Sequence, residues 1–149
     1  MANTYTKLIY HLVFSTKERL PLITPELREP LFNYIGGIIR KHRGVLMSAG
    51  GIEDHVHLLV NLRASLSVSE HLQEIKGGSS RWINDNNRAD RFAWQTGYGA
   101  FTVSESQVPA VRRYIESQEE HHREMTFKEE FLALLERHGI EYDEKYLWD

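Results

Sequence analysis

Cysteine is absent from the 149 residues, which excludes disulfides and thiolate metal sites. Four prolines and ten glycines are too few for a proline-rich or collagen-like chain, and no internal repeat or low-complexity stretch is present. No apolar run approaches the ~20 residues a membrane span needs. The opening "MANTYTKLIYHLVF" lacks a signal peptide's order of charge, apolar block and small-residue cleavage site. The expectation is therefore a cytoplasmic protein with no membrane contact. Charge of one sign is also not in excess, since the net value is −3. It is unevenly spread, however. Residues 1–115 carry 14 basic and 10 acidic side chains, and residues 116–149 carry 4 and 11. An acidic tail on a mildly basic body leaves a nucleic-acid partner open.

What is there suits one globular domain over 1–149, with 41% hydrophobic and 26% charged residues. "TKLIYHLVFS" (6–15) is short, aromatic and β-branched, and predicts a buried strand. Thr24-Pro25-Glu26 starts a helix, in which Pro30 and Gly36-Gly37 predict a kink or a late true start. "VLMSAG" (45–50) and "HVHLLVNL" (55–62) predict a hairpin turning at Gly50-Gly51. Ser67-Val68-Ser69-Glu70 is a capping box that opens a second helix. "GYGAFTVS" (97–104) supplies a fourth strand. Helices follow Ser104 and Thr126, and Gly139 ends the last. The order β-α-β-β-α-β plus two helices defines an α+β fold, a ferredoxin-like antiparallel sheet. Its core spans about 5–104 and its C-terminal helices about 106–149.

The chemistry concentrates in "DHVHLLV" (54–60). Alternation along a strand points His55 and His57 to one face, where two imidazoles can share a metal ion. Tyr114 and Gln118, four residues apart, project together from a helix and lie off its Val108-Val111-Ile115 apolar stripe. Two imidazoles and one oxygen ligand would hold a divalent metal against a phosphate oxygen while a phenol attacks phosphorus. For the oxygen ligand two candidates stand: Gln118, and Glu53 if the strand begins early. Arg112 and Arg113 favour phenolate, clamp phosphates or simply face water. Lys41, Arg43, Arg81, Arg88 and Arg91 are candidates for phosphate contacts. Trp94 and Tyr98 are candidates for stacking on unpaired bases, with Trp82 assigned to the core. His11 is read as a packed histidine. His121 and His122 are read as dipole contacts at a helix end.

The chain resembles the HUH-superfamily single-tyrosine transposases of bacterial insertion sequences, the two-hundred-like group. The resemblance is carried by "YHLVFSTKERLPLI" (10–23), "HVHLLV" (55–60), "SSRWIN" (79–84), "FAWQTGYGAFTVSESQ" (92–107) and "VRRYIESQEEHH" (111–122). It implies that Tyr114 is the nucleophile and that His55, His57 and Gln118 hold Mg²⁺ or Mn²⁺. It further implies hairpin recognition and cleavage and rejoining of single-stranded DNA at mobile-element ends through a 5′-phosphotyrosine. The partner would be a second copy, in a homodimer with shared active sites, acting at the bacterial nucleoid. The alternatives are a non-catalytic RNA or DNA hairpin-binding module and a domesticated, repeat-associated relative.

Overall fold

The computed structural model describes residues 3–86, 91–122 and 124–149. Strands β1 (Leu8–Ser15), β2 (Val45–Ile52), β3 (His55–Leu62) and β4 (Gly99–Thr102) form one antiparallel sheet in the order β2-β3-β1-β4. Helices α1 (Pro25–Lys41) and α2 (Val68–Asn86) provide the crossovers. The ferredoxin-like α+β arrangement is thus present. Among the described residues four α-helices follow it: α3 (Val108–Glu116), α4 (Gln118–His121), α5 (Phe127–Arg137) and α6 (Glu144–Leu147).

The two-residue period of the central strands divides the sheet into two faces. Leu12 and Phe14 of β1 join Val56, Leu58 and Val60 of β3 under α1 and α2. The intervening Ile9, Val13 and Leu59 face the other way, against α3 and α5. His11, His55 and His57 have the parity of this second set. Pairing of β1 with β3 sets Val13 opposite His57 and Ser15 opposite His55.

Local signals act as expected at three helix starts. Thr24 Oγ1 accepts from the Leu27 amide at 3.2 Å, and Thr126 Oγ1 from the Glu129 amide at 3.2 Å. Ser67 and Glu70 close a reciprocal capping box at 3.1 and 3.0 Å. α1 has no late start: it runs from Pro25 through Pro30, which is exposed. Gly139, at φ +65°, follows the end of α5.

Gly50 and Gly51 do not form the hairpin turn. Both lie in β2, and the chain reverses at Glu53-Asp54. Close approach explains them. A Cβ on Gly50 would stand 1.9 Å from the Ile115 carbonyl oxygen, and one on Gly51 would stand 2.3 Å from that of His55. Helix α3 rests on β2 at the place where β2 has no side chain. Gly50→Ala is therefore expected to cost roughly 1–3 kcal/mol, as overpacking does. Gly77→Ala, in α2 with nothing within 4 Å of the added carbon, should instead stabilise by about 0.5–1 kcal/mol. Urea unfolding of both variants checks the pair.

Candidate active site

His55 and His57 are fully buried at the start of β3, facing α3, α4 and α5. Each imidazole is oriented by a hydrogen bond at Nδ1. His55 Nδ1 donates to Asp54 Oδ1 at 2.7 Å, and His57 Nδ1 pairs with His11 Nε2 at 2.7 Å. His11 is thus the packed histidine expected, and it orients a neighbour. Strand alternation alone would point Asp54 away from His55. It lies in the turn instead, where alternation does not hold. Glu53 is also in that turn and exposed, away from the cluster.

The helix after β4 breaks at Ser117, whose φ/ψ of −107°/28° separates α3 from α4. Ser117 Oγ donates to the Arg113 carbonyl at 2.9 Å and to the Tyr114 carbonyl at 3.2 Å. A serine bonding back onto the preceding turn competes with the helical ladder and bends it. Tyr114 and Gln118 still reach the same centre. Gln118 Oε1 accepts from His55 Nε2 and His122 Nε2, each at 3.1 Å. The Tyr114 ring centroid lies 5.8 Å from that of His57.

Two members of the cluster are not sequence candidates for the centre: Glu130 carries no assignment there, and His122 is read as a dipole contact at a helix end but joins the cluster instead. Glu130 is 1% exposed on α5, and its Oε1 accepts from His57 Nε2 at 2.8 Å and His122 Nε2 at 3.0 Å. His55 Nε2 lies 3.4 Å from the same oxygen. The other oxygen, Oε2, accepts from the Tyr114 hydroxyl. Both residues left a signal. His122 continues the 114–118 spacing by four. Glu130 is an acid inside the stripe Phe127, Phe131, Leu134 and Leu135. His121 tilts against the Tyr114 ring at 4.6 Å.

The donor set fits a divalent metal ion. Ligand atoms of His55, His57, His122 and Glu130 all lie within 4.8 Å of one another. Ligands about 2.1 Å from one cation stand about 3–4.2 Å apart, which small side-chain shifts provide here. Imidazole, carboxylate and amide donors suit borderline-to-hard divalent ions.

Burial sets the electrostatics and the carboxylates modulate it. Desolvation lowers His11 to about 3, with the neighbouring His57 adding to the effect. It also lowers His57 to about 4, against the pull of Glu130. At His55 burial is outweighed by hydrogen bonds to Asp54 and Glu130, and the value rises to about 9. Burial and then Glu130 push the Tyr114 phenol up. Burial would raise Glu130, but hydrogen bonds from His122, His55 and His57 hold it well below the carboxylate range.

The proposed DNA contacts are dispersed. Lys41 and Arg81 line one cleft between α1 and α2, beside Tyr34 and His42. Trp82 is half-buried and stacks on Tyr34 at 4.8 Å. Arg43 lines a second cleft with Arg63 and Tyr5. Arg91 and Tyr98 line a third, of about 590 Å³, with Lys76. Trp94 borders this cleft but is only 8% exposed, T-shaped against Phe14 and Phe92, so it serves as core. Arg112 donates to the Met47 carbonyl, and Arg113 is exposed. Arg88 lies outside the described residues. Among the described residues no helix is long and apolar enough to cross a membrane.

Comparison with known proteins assigns this chain to a class of DNA-processing enzymes. Residues 4–118 match the family model "Transposase IS200 like", and the chain belongs to that family of DNA-cleaving and rejoining enzymes. The chain is 25% identical over 118 residues to the ISDra2 transposase TnpA of Deinococcus radiodurans, covering 75% of this chain and 84% of that one. It is 28% identical over 128 residues to the transposase for insertion sequence element IS200 of Salmonella typhimurium, covering 79% and 81%. A crystal structure of a transposase candidate from Deinococcus radiodurans superposes with a TM-score of 0.63 at 25% identity, covering 79% and 95%. A REP-associated tyrosine transposase solved with a REP hairpin shares the fold, with a TM-score of 0.54 at 14% identity over 77% and 67%.

The shifts generate a pH prediction for the metal-free protein. His11 and His57 have folded values below the ordinary 6.5. Their stabilisation is present above 6.5 and is lost as pH falls towards about 4 and 3. His55 has the opposite sign: its share is full below 6.5 and is lost as pH climbs through about 9. Melting temperature should therefore fall on both sides of neutrality, and His11→Phe should flatten the acid limb between pH 6.5 and 5.

Proposed function

We propose that this protein is a metal-dependent transposase that cleaves and rejoins single-stranded DNA at the ends of a mobile element, with Tyr114 as nucleophile. The observation that carries this reading is convergence. The Tyr114 hydroxyl, His55, His57 and Gln118 arrive from two separate parts of the chain at one buried polar centre. Such a centre inside an apolar sandwich is costly unless it is used.

In the proposed reaction the Tyr114 oxygen attacks the phosphorus of a backbone phosphodiester. The P–O bond to the 3′ oxygen breaks, leaving a free 3′-hydroxyl and a 5′-phosphotyrosine. The proton lost by the phenol is balanced by the one the 3′ oxygen gains. Attack of a 3′-hydroxyl on the phosphotyrosine reverses the step and rejoins strands, so no nucleotide cofactor is required. His55, His57 and Gln118 would hold a divalent ion, Mg²⁺ or Mn²⁺, which would stabilise the charge that builds on the phosphate. Asp54 and His11 fix the two imidazoles through their Nδ1 atoms, as residues behind metal-ligating histidines do.

The substrate class includes hairpin-ended DNA, a reading supported by the hairpin carried by the REP-associated structural relative. Lys41, Arg43, Arg81, Arg91 and Arg113 supply phosphate contacts, with Tyr98 free to stack on a base. A homodimer completes the proposal. Sharing of the tyrosine between subunits would require α3 to leave β2, because one chain already assembles all four groups. Mixing Tyr114→Phe subunits with His55→Ala/His57→Ala subunits separates the two arrangements. Recovered cleavage in proven mixed dimers means sharing, and a dead mixture means self-contained sites.

The primary test is incubation with labelled single-stranded DNA from the flanks of the gene, with and without Mg²⁺ or Mn²⁺. A metal-dependent covalent protein–DNA band is expected, lost in Tyr114→Phe while DNA binding persists. An adduct that survives in Tyr114→Phe would refute the assignment. Binding should weaken steeply between low and physiological salt, as phosphate neutralisation releases counterions.

A further inference from the structure

Glu130 stands apart from the rest of α5. Its neighbours on the buried face, Phe127, Phe131, Leu134 and Leu135, are apolar, and an isosteric apolar side chain would pack there at no electrostatic cost. A carboxylate 1% exposed is kept at such a position only if its two oxygens have partners. They do, and the partners differ in kind. Oε1 faces the imidazoles of His57, His122 and His55 at 2.8, 3.0 and 3.4 Å. Oε2 accepts from the Tyr114 hydroxyl.

We propose that Glu130 is the positioning residue of Tyr114, a single carboxylate that ties the phenol to the histidine centre. The inference rests on the reading of Tyr114 as nucleophile and adds a fourth element to the site. β3 brings the histidines, α3 and α4 bring the tyrosine and glutamine, and α5 supplies the strut between them. One oxygen fixes the carboxylate against the centre, so the other presents an acceptor at a set point. The phenol, which otherwise swings about its side-chain torsions, has its oxygen held there. Glu130 is also the anionic member of the donor set, so a bound cation and the phenol share one group. Displacement of a nucleophile by about 1 Å costs on the order of 100-fold in rate, which sets the scale expected for losing the strut.

Glu130→Gln tests this with shape conserved and charge removed. The protein is labelled with 3-fluorotyrosine, and the Tyr114 signal is identified by its absence in Tyr114→Phe. In the wild type that ¹⁹F resonance should shift on addition of Mg²⁺. In Glu130→Gln it should sit at a different position without metal and no longer respond to it. Calorimetric Mn²⁺ affinity should fall by about tenfold or more, in line with loss of a supporting ligand. The rate of adduct formation should fall on the order of 100-fold. Glu130→Asp, too short to span both partners, replaces it if the glutamine variant does not fold, with the same changes expected. A Tyr114 resonance unmoved by the substitution, together with an adduct rate within about twofold of wild type, overturns the proposal. Weakened Mn²⁺ binding with an unmoved resonance also overturns it, by making Glu130 a ligand and nothing more. An adduct formed by Tyr114→Phe defeats the nucleophile reading instead, and leaves the resonance measurement to report on the Glu130–Tyr114 bond by itself.

Discussion

A charged carboxylate deep in a small protein has to be compensated, and here that constraint organises everything around it. Glu130 occupies a helix face made for hydrocarbon contact. Its ionised form is held by three imidazoles and a phenol rather than by lysine or arginine. Imidazoles can give up that task to a metal ion, whereas a guanidinium cannot. The compensation by imidazoles is therefore exchangeable for a cation. Asp54 and His11 make the exchange possible by fixing the two strand histidines from behind.

The sheet supplies the frame through parity. Even-numbered positions of β1 and β3 build the core beneath α1 and α2, and odd-numbered positions build the opposite face. A slip of one residue in the β1–β3 pairing would send His55 and His57 into the main core. The apolar demand of Leu12, Phe14, Val56 and Leu58 on one side therefore fixes the polar centre on the other. Core packing and site geometry are the same register, read from its two faces.

This explains how much could be read from residues alone. The strand histidines, the three side-chain caps and the topology depend on patterns within a few positions, and those patterns survive folding. Gly50 and Gly51 were misread because glycine marks both turns and close approaches, and only the docking of α3 tells them apart. The helix break at Ser117 was invisible for a similar reason. Serine is tolerated in helices, and its back-bonding becomes decisive only when the following turn is pulled toward His55. Glu130 lies beyond the histidine-strand and tyrosine-helix motifs, and its part in the centre depends on how α5 seats against the sheet. His122 keeps the spacing of four from Tyr114 and Gln118, but its bond to Glu130 depends on the same seating. Trp94 illustrates the converse. Its aromatic chemistry suggested a base-stacking surface, and tertiary packing gave its ring to the core.

The missing side chain at Gly50 also bears on how such a chain ages. A methyl group there collides with the main chain of Ile115, one residue from Tyr114, so the helix must lift for any other amino acid to enter. In a lineage under selection for strand cutting, that position is closed. Ile115 is fully buried with Ile9 and Leu59, so packing continues to defend the glycine in a copy that no longer cuts. Gly50 thus ages with the fold rather than with the chemistry.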